Sequence, residues 1–536
     1  MTSYPVRTCE QVRQALLARD EIALLDVREE DPHAASHPLF AANIPLSRLE
    51  LDTWSRLPRR SVPIVVLDAG EGLAQRAALK LTALGYTDVA LLDGGLEGWI
   101  RAGGEVFRDV NAPSKAFGEL VEARRHTPSL SAQEVKALLD SAADVVVLDA
   151  RRFDEYQTMN IPGSTSVPGA ELVLRARALA PDPATRIIVN CAGRTRSIIG
   201  TQSLVNAGLP NPVSALRNGT IGWTLAGQSL EHGADRRFTS DAGRAADTLA
   251  ASREAAASLA ARAGVKRTTL DTLDLWIEDA SRTTYRYDVR TPGEYEHAHL
   301  PGFQNAPGGQ LVQETDMFAP VRGARVVLFD DDGVRASMTA SWLAQMNVEV
   351  YVLDGVAPDR LSERGAWRPE RPSPEAVTPG LAPRALATLI ERDGARVAVI
   401  NVTSSANHVK AHVPGTYWAL RSRLDEAIDL IEKQQAPDEY VVICQTNAIA
   451  PYAAPEVAAL TNKPVHVLEG GTTAWVREGL PVEAGATRLA NPRIDRYRRP
   501  YEGTDNAHEA MNAYLEWEYG LVAQLERDGT HGFFVI

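Results

Sequence analysis

The sequence predicts an α/β protein built from four tandem copies of one unit, each a parallel sheet flanked by helices. Three observations carry this reading. A phrase made of a short apolar strand ending in Asp or Asn, a polar stretch and a proline occurs four times. In every copy a second apolar strand follows, then a helix-forming stretch, then a third strand running into a glycine turn. The strands are continuously apolar rather than alternating, which marks a sheet covered on both faces by helices.

The first strands end at Asp26, Asp149, Asp288 and Asn401. Asp149 to Pro162, Asp288 to Pro301 and Asn401 to Pro414 are each 13 positions, whereas Asp26 to Pro45 is 19, read as a six-residue insertion in copy one. A polar and an aliphatic residue precede each of these prolines: Asn43-Ile44, Asn160-Ile161, His299-Leu300 and His412-Val413. The second strands cover 63–68, 186–191, 325–330 and 440–445. The helices after them close at Gly85, Gly208, Asn347 and Asn462, residue types suited to a helix C-terminus. The third strands run into DGG, RNG, LDG and EGG, and Trp99, Trp223 and Trp475 follow in three copies.

These units divide the chain into 1–110, 128–238, 265–370 and 378–487, with a tail at 488–536. The prolines of 109–128 favour an ordered connector over a long helix. The Ala-rich stretch 240–264 reads as a helix packed on a domain. The tail combines RYRRPYEGTDN with an amphipathic helix whose aromatics, Tyr514, Trp517 and Tyr519, are expected to pack on the chain's own surface.

Composition narrows the function. The 536 residues are 44% hydrophobic and 23% charged, the balance of a folded globular chain. The 69 acidic against 56 basic residues give a net charge of −13, which argues against a general nucleic-acid binder. No run approaches the roughly 18 apolar residues of a membrane span. The charged N-terminal stretch offers no signal-peptide core. Three cysteines, Cys9, Cys191 and Cys444, supply neither a disulfide framework nor a CxxC zinc pair. A cytoplasmic protein is expected.

Chemistry concentrates at one loop. In an open parallel sheet, ligands bind beyond the carboxyl ends of the strands, at helix N-termini. There copy two places CAGRTRS, 191–197. Cys191 stands at a tight glycine-containing turn, before a helix N-terminus and near Arg194 and Arg196, features that favour the nucleophilic thiolate. Cys191 is the expected catalytic residue. Ala192, Gly193, Arg194, Thr195 and Arg196 form the expected cup for an oxyanion substrate.

The Asp-x-Arg strand end, the Pro-Gly 13 residues on, the Cys-x-x-x-x-Arg loop and the Gly-x-x-x-Trp turn together resemble rhodanese domains. Four rhodanese-like copies cover about residues 5–485. The resemblance implies thiosulfate sulfurtransferase activity through a Cys191 persulfide: a small-molecule donor loads the sulfur and a thiophilic acceptor such as cyanide or a thiol removes it. Two alternatives remain open, a non-enzymatic persulfide carrier or scaffold, and a rhodanese-like cysteine phosphatase. Phosphatases of that kind carry one more residue between Cys and Arg, which disfavours the second.

The other copies differ at this position. Copy one has Asp68; in copy three, strand counting selects Asp330 and glycine counting Asp331. Both copies are expected to be inactive. Copy four has Cys444 in CQTNAIA, without glycine or arginine and ahead of Pro451 and Pro455, so it too is expected to be inactive. His299 and His412 fall where other copies have Asn, which reads as a hydrogen bond near the bend rather than a metal ligand. No metal and no cofactor is expected, and the oligomeric state is left open.

Overall fold

The computed structural model describes residues 4–374, 376–499 and 506–536; part of the tail phrase RYRRPYEGTDN lies outside them. Four five-stranded sheets follow one another along the chain. Each runs in the order first, fifth, fourth, second, third strand of its unit, with every pairing parallel. The strand that leads into the Cys191 position is therefore central. It is Arg186–Asn190 in unit two, and it is buried at four of its five residues.

The register corrects the reading of copy one. Asp26 pairs with Asn43, Asp149 with Ser166, Asp288 with Asn305 and Asn401 with Trp418, the same separation in each unit. Copy one thus has no insertion. Its His37, not Asn43, occupies the place of Asn160, His299 and His412, each of which bridges to the strand-like segment closing its unit. Pro45 matches Pro168 and Pro307, the second prolines of units two and three, where unit four has Leu420. At the shared position, Asn160 donates to Tyr156 O at 3.1 Å, while Nδ1 of His299 and His412 lies 2.7 and 2.6 Å from the Tyr295 and His408 carbonyls.

The Asp-x-Arg phrase is a buried ion pair at the end of the second strand of units one, two and three. Arg28, Arg151 and Arg290 clasp Asp26, Asp149 and Asp288, and each also donates to the carbonyl eight residues further on. Asn401 and Thr403 replace the pair in unit four. The four expected helix ends are left-handed, with φ of 94° at Gly85, 65° at Gly208, 60° at Asn347 and 53° at Asn462.

Between the units the chain is more helical than expected. The connector 109–128 contains the helix Ala112–Arg125, contrary to the sequence reading. Its Pro113 sits in the first turn, where the missing N–H has no intrahelical partner to lose. The helix Ala246–Arg262 inserts Ala256 and Leu259 among Leu172, Leu174, Val334 and Met338, joining units two and three. Units one and three share a core containing Val66, Leu67, Tyr285 and Val326. The tail forms helices Ala507–Tyr519 and Leu521–Asp528, broken at Gly520. No helix among the described residues is long and apolar enough to cross a membrane.

Candidate active site at Cys191

Cys191 follows the central strand of unit two and precedes the helix Thr195–Asn206, whose first turn has no side-chain cap. The N–H groups of such a turn are free to meet an anion. The glycine turn after the last strand closes against the loop from behind. Gly219, at φ 55°, lies so near that a Cβ there would stand 2.3 Å from Cys191 O. This is the physical content of the Gly-x-x-x-Trp motif.

The thiol is 2% exposed, and Sγ lies 3.5 Å from Ser197 Oγ, whose hydroxyl donates to Arg194 O at 2.8 Å. Burial pushes the Cys191 thiol up; Arg196 and Ser197 pull it down without reversing the shift. The loop charges favour the thiolate, but the cost of taking it out of water outweighs them.

The two loop arginines differ in what they hold. Arg196 meets Glu155 through two hydrogen bonds of 2.8 Å and remains the main cation acting on the Cys191 sulfur. Arg194 turns toward the connector helix, where Nε and Nη2 bond Glu119 at 2.7 and 2.8 Å and Glu122 adds a further contact. The ring of Tyr519 covers its guanidinium at 4.3 Å.

All six residues singled out from the sequence, Cys191, Ala192, Gly193, Arg194, Thr195 and Arg196, line one pocket of about 60 Å³. Its other walls come from distant chain segments. Lys115 stands on the connector helix, Gln313 and Glu314 belong to unit three, and Tyr514 and Glu518 come from the tail. The tail aromatics were expected to serve packing alone. Trp517 does pack on the core, but Tyr514 is a wall of the site. Glu155 had a signal that went unused: six residues past Asp149 it matches Glu294, six past Asp288. Glu294 bonds Arg335 in unit three as Glu155 bonds Arg196.

Units one and three carry a carboxylate at the corresponding place. Asp68 accepts N–H bonds from Gly70 and Ala74, each at 3.0 Å, and Asp330 from Gly333 and Ala336 at 3.0 and 2.8 Å. Ala74 and Ala336 stand six residues past the strand end, as Ser197 does. In both units a resident carboxylate fills the space over the helix N-terminus. Asp330, rather than Asp331, is thereby the counterpart of Cys191. In unit four, Cys444 Sγ accepts a 3.4 Å contact from Ile449 N and packs among Ala450, Ala453 and Val457.

The family of rhodanese-like domains matches residues 8–102, 131–226, 269–356 and 382–478. The chain belongs to the rhodanese family. A crystal structure of thiosulfate sulfurtransferase from Pseudomonas aeruginosa is 63% identical over 99% of this chain and 100% of that one, with a TM-score of 0.95. An HTH-type transcriptional regulator of Mycobacterium tuberculosis is 31% identical over 93 residues, 17% of this rhodanese and 40% of the regulator. An uncharacterized 16.5 kDa protein of Synechococcus elongatus is 48% identical over 46 residues, 8% of this chain and 31% of that protein.

Proposed function

We propose that this rhodanese is a thiosulfate sulfurtransferase with one working site, at Cys191. The observation that carries the reading is the full-length likeness to the Pseudomonas enzyme, 63% identical from end to end. The site supports it: a buried thiol faces a pocket whose counterparts in units one and three are filled by carboxylates. An anionic sulfur donor suits the same cup.

In the first half-reaction the Cys191 thiolate attacks the sulfane sulfur of thiosulfate. The S–S bond breaks, sulfite leaves with the electron pair, and Cys191 carries the sulfur as a persulfide. In the second, cyanide or a thiolate attacks the terminal sulfur, and the Cys191 thiolate is the leaving group. Arg196 stabilises the anionic sulfur in both states, Ser197 orients it, and the N–H groups of 192–195 receive the donor's oxyanion. The donor and acceptor are small molecules, and we place the reaction in the cytoplasm. Mixing the chain with thiosulfate and cyanide tests the reading: thiocyanate should form, and the protein alone with thiosulfate should gain the mass of one sulfur. Absence of both overturns it.

A further inference from the structure

The tail helix Ala507–Tyr519 lays Tyr514 and Glu518, one turn apart, over the Cys191 loop. A Cβ at Gly193 would stand 3.3 Å from Tyr514 Cε1 and 3.4 Å from Glu518 Oε2, so the loop and the tail touch where the pocket opens. Glu518 is 1% exposed. Its Oε1 is 2.9 Å from the Tyr514 hydroxyl, while Oε2 is buried without a hydrogen-bond partner among the described residues. A carboxylate oxygen left in that state is costly, whereas a carboxylic acid there offers an unused O–H to whatever enters.

We propose that Glu518 is a binding residue for the sulfur donor, its acid form donating through Oε2 to a sulfonate oxygen of a sulfane-bearing dianion such as thiosulfate. This rests on the sulfurtransferase reading of the pocket and adds a second anchor opposite the Cys191 loop. Burial keeps Glu518 neutral, and the groups facing it do not reverse that. On the connector segment, Lys115 is engaged by Asp109 at 2.9 Å, and Glu119 adds like charge. From the loop, Arg194 is engaged by Glu119. On its own helix, Tyr514 is pushed far above its ordinary value and does not ionise near neutrality. Burial is the main influence and pushes Glu518 up to about 8, against the opposing pull of Lys115 and Arg194. Arg499 and Glu314 also line the pocket, one of each sign. Below about pH 8 Glu518 is therefore a donor to the dianion; above it, a repelling charge.

The test is thiosulfate binding by calorimetry to full-length Cys191→Ser between pH 6.5 and 9.5, where no cysteine ionises at the site and thiosulfate keeps one charge state. Affinity should fall at least fivefold from pH 7 to pH 9.5. In Cys191→Ser/Glu518→Gln, whose amide donates at every pH, it should change by less than twofold. Cys191→Ser/Glu518→Leu should bind at least tenfold more weakly than the glutamine variant at pH 7. A pH-independent affinity in Cys191→Ser, a decline that persists in the glutamine variant, or no binding at any pH would overturn the assignment. Binding by Cys191→Ser with no sulfur loading of the wild-type chain would instead refute the sulfurtransferase reading and leave the Glu518 result standing.

Discussion

Arg196 and Glu155 face each other through two parallel hydrogen bonds of 2.8 Å, tying the helix behind Cys191 to the helix Phe153–Thr158. The guanidinium is thus shared between a carboxylate and the sulfur. Burial alone would raise the Glu155 carboxyl, but Arg196 outweighs it and holds the group at about 2, so the pair is ionised at all working pH values.

That sharing sets opposite expectations for the two partners. Glu155→Gln removes the competing charge, so the Cys191 thiol should titrate lower than in the wild type. Arg196→Met removes the cation, so it should titrate higher. The pH profile of iodoacetamide alkylation at Cys191 reads both shifts. Each variant also loses a charged hydrogen-bond pair, about 1.5–3 kcal/mol of stability. Shifts of the same sign would show that Arg196 does not act on the sulfur.

Cys191→Ser should abolish sulfur loading from thiosulfate while the melting temperature stays close to that of the wild type. In the wild type the pH dependence follows from burial. The thiolate is the reactive form and its pKa is raised, so loading at saturating thiosulfate should quicken as pH climbs above neutral. Stopped-flow loading rates check this; a rate that is flat from pH 6 to 9 would place the thiol lower than its surroundings imply.

Arg194 carries a different expectation from Arg196. Its side chain and that of Glu119 are each 5% exposed, so Arg194→Ala strands a buried carboxylate. Removing one partner of such a pair costs about 3–5 kcal/mol. Denaturant unfolding should show the loss, and Glu119→Gln combined with Arg194→Ala should recover part of it. Recovery of thiosulfate turnover in the double variant would make the arginine's role structural.

The contrast between these arginines marks how far the sequence could be read. Strand ends, helix closures and the Cys191 loop are local patterns, and Asp149-x-Arg151, Gly208 and 191–197 announced themselves. The register of copy one fails because Asn43-Ile44-Pro45 reproduces the polar-aliphatic-proline phrase six residues beyond the position held by His37, and the phrase outweighs the spacing. The partners of Arg194 and the residues Lys115, Tyr514 and Glu518 escaped because nothing local links positions near 115 and 515 to position 191. They meet only through the packing of the connector and tail helices on unit two. The raised Cys191 thiol escaped for the same reason: burial is a property of the assembled chain.

The first and fourth units meet through another buried group of charges. Arg421 bonds Glu50 at 2.6 and 2.8 Å, and Lys80 lies 2.9 Å from the same carboxylate. Burial would raise Glu50, but Arg421 and Lys80 outweigh it and hold it at about 2. A depressed carboxylate contributes stability that is full above its unfolded value and is lost as pH falls through its folded one. This contact should therefore weaken between about pH 4.5 and pH 2. Arg421→Met should lower the melting temperature at pH 7 more than at pH 3; an equal loss at both values would remove the ion pair from the account.

Cys444 provides the sharpest test of a single-site chain. Its strand end is in register with that of Cys191: the N–H of Thr472 bonds Cys444 O as the N–H of Thr220 bonds Cys191 O, both at 2.9 Å. The backbone is therefore equivalent, and the difference lies in side chains. No arginine occupies the loop 444–450, whereas Arg196 stands five residues past Cys191. The helix behind Cys444, Ala450–Thr461, carries Pro451 in its first turn, which removes an N–H from the end that would cradle an anion. Asn401 and Thr403 replace the Asp-Arg pair beneath the loop, and Cys444 lies in the apolar cluster of its unit. Cys444→Ala should accordingly keep thiosulfate turnover, and thiosulfate should load one sulfur per chain. Peptide mass mapping decides the matter: persulfide on Cys444 at an occupancy comparable to that on Cys191 would replace one working site with two.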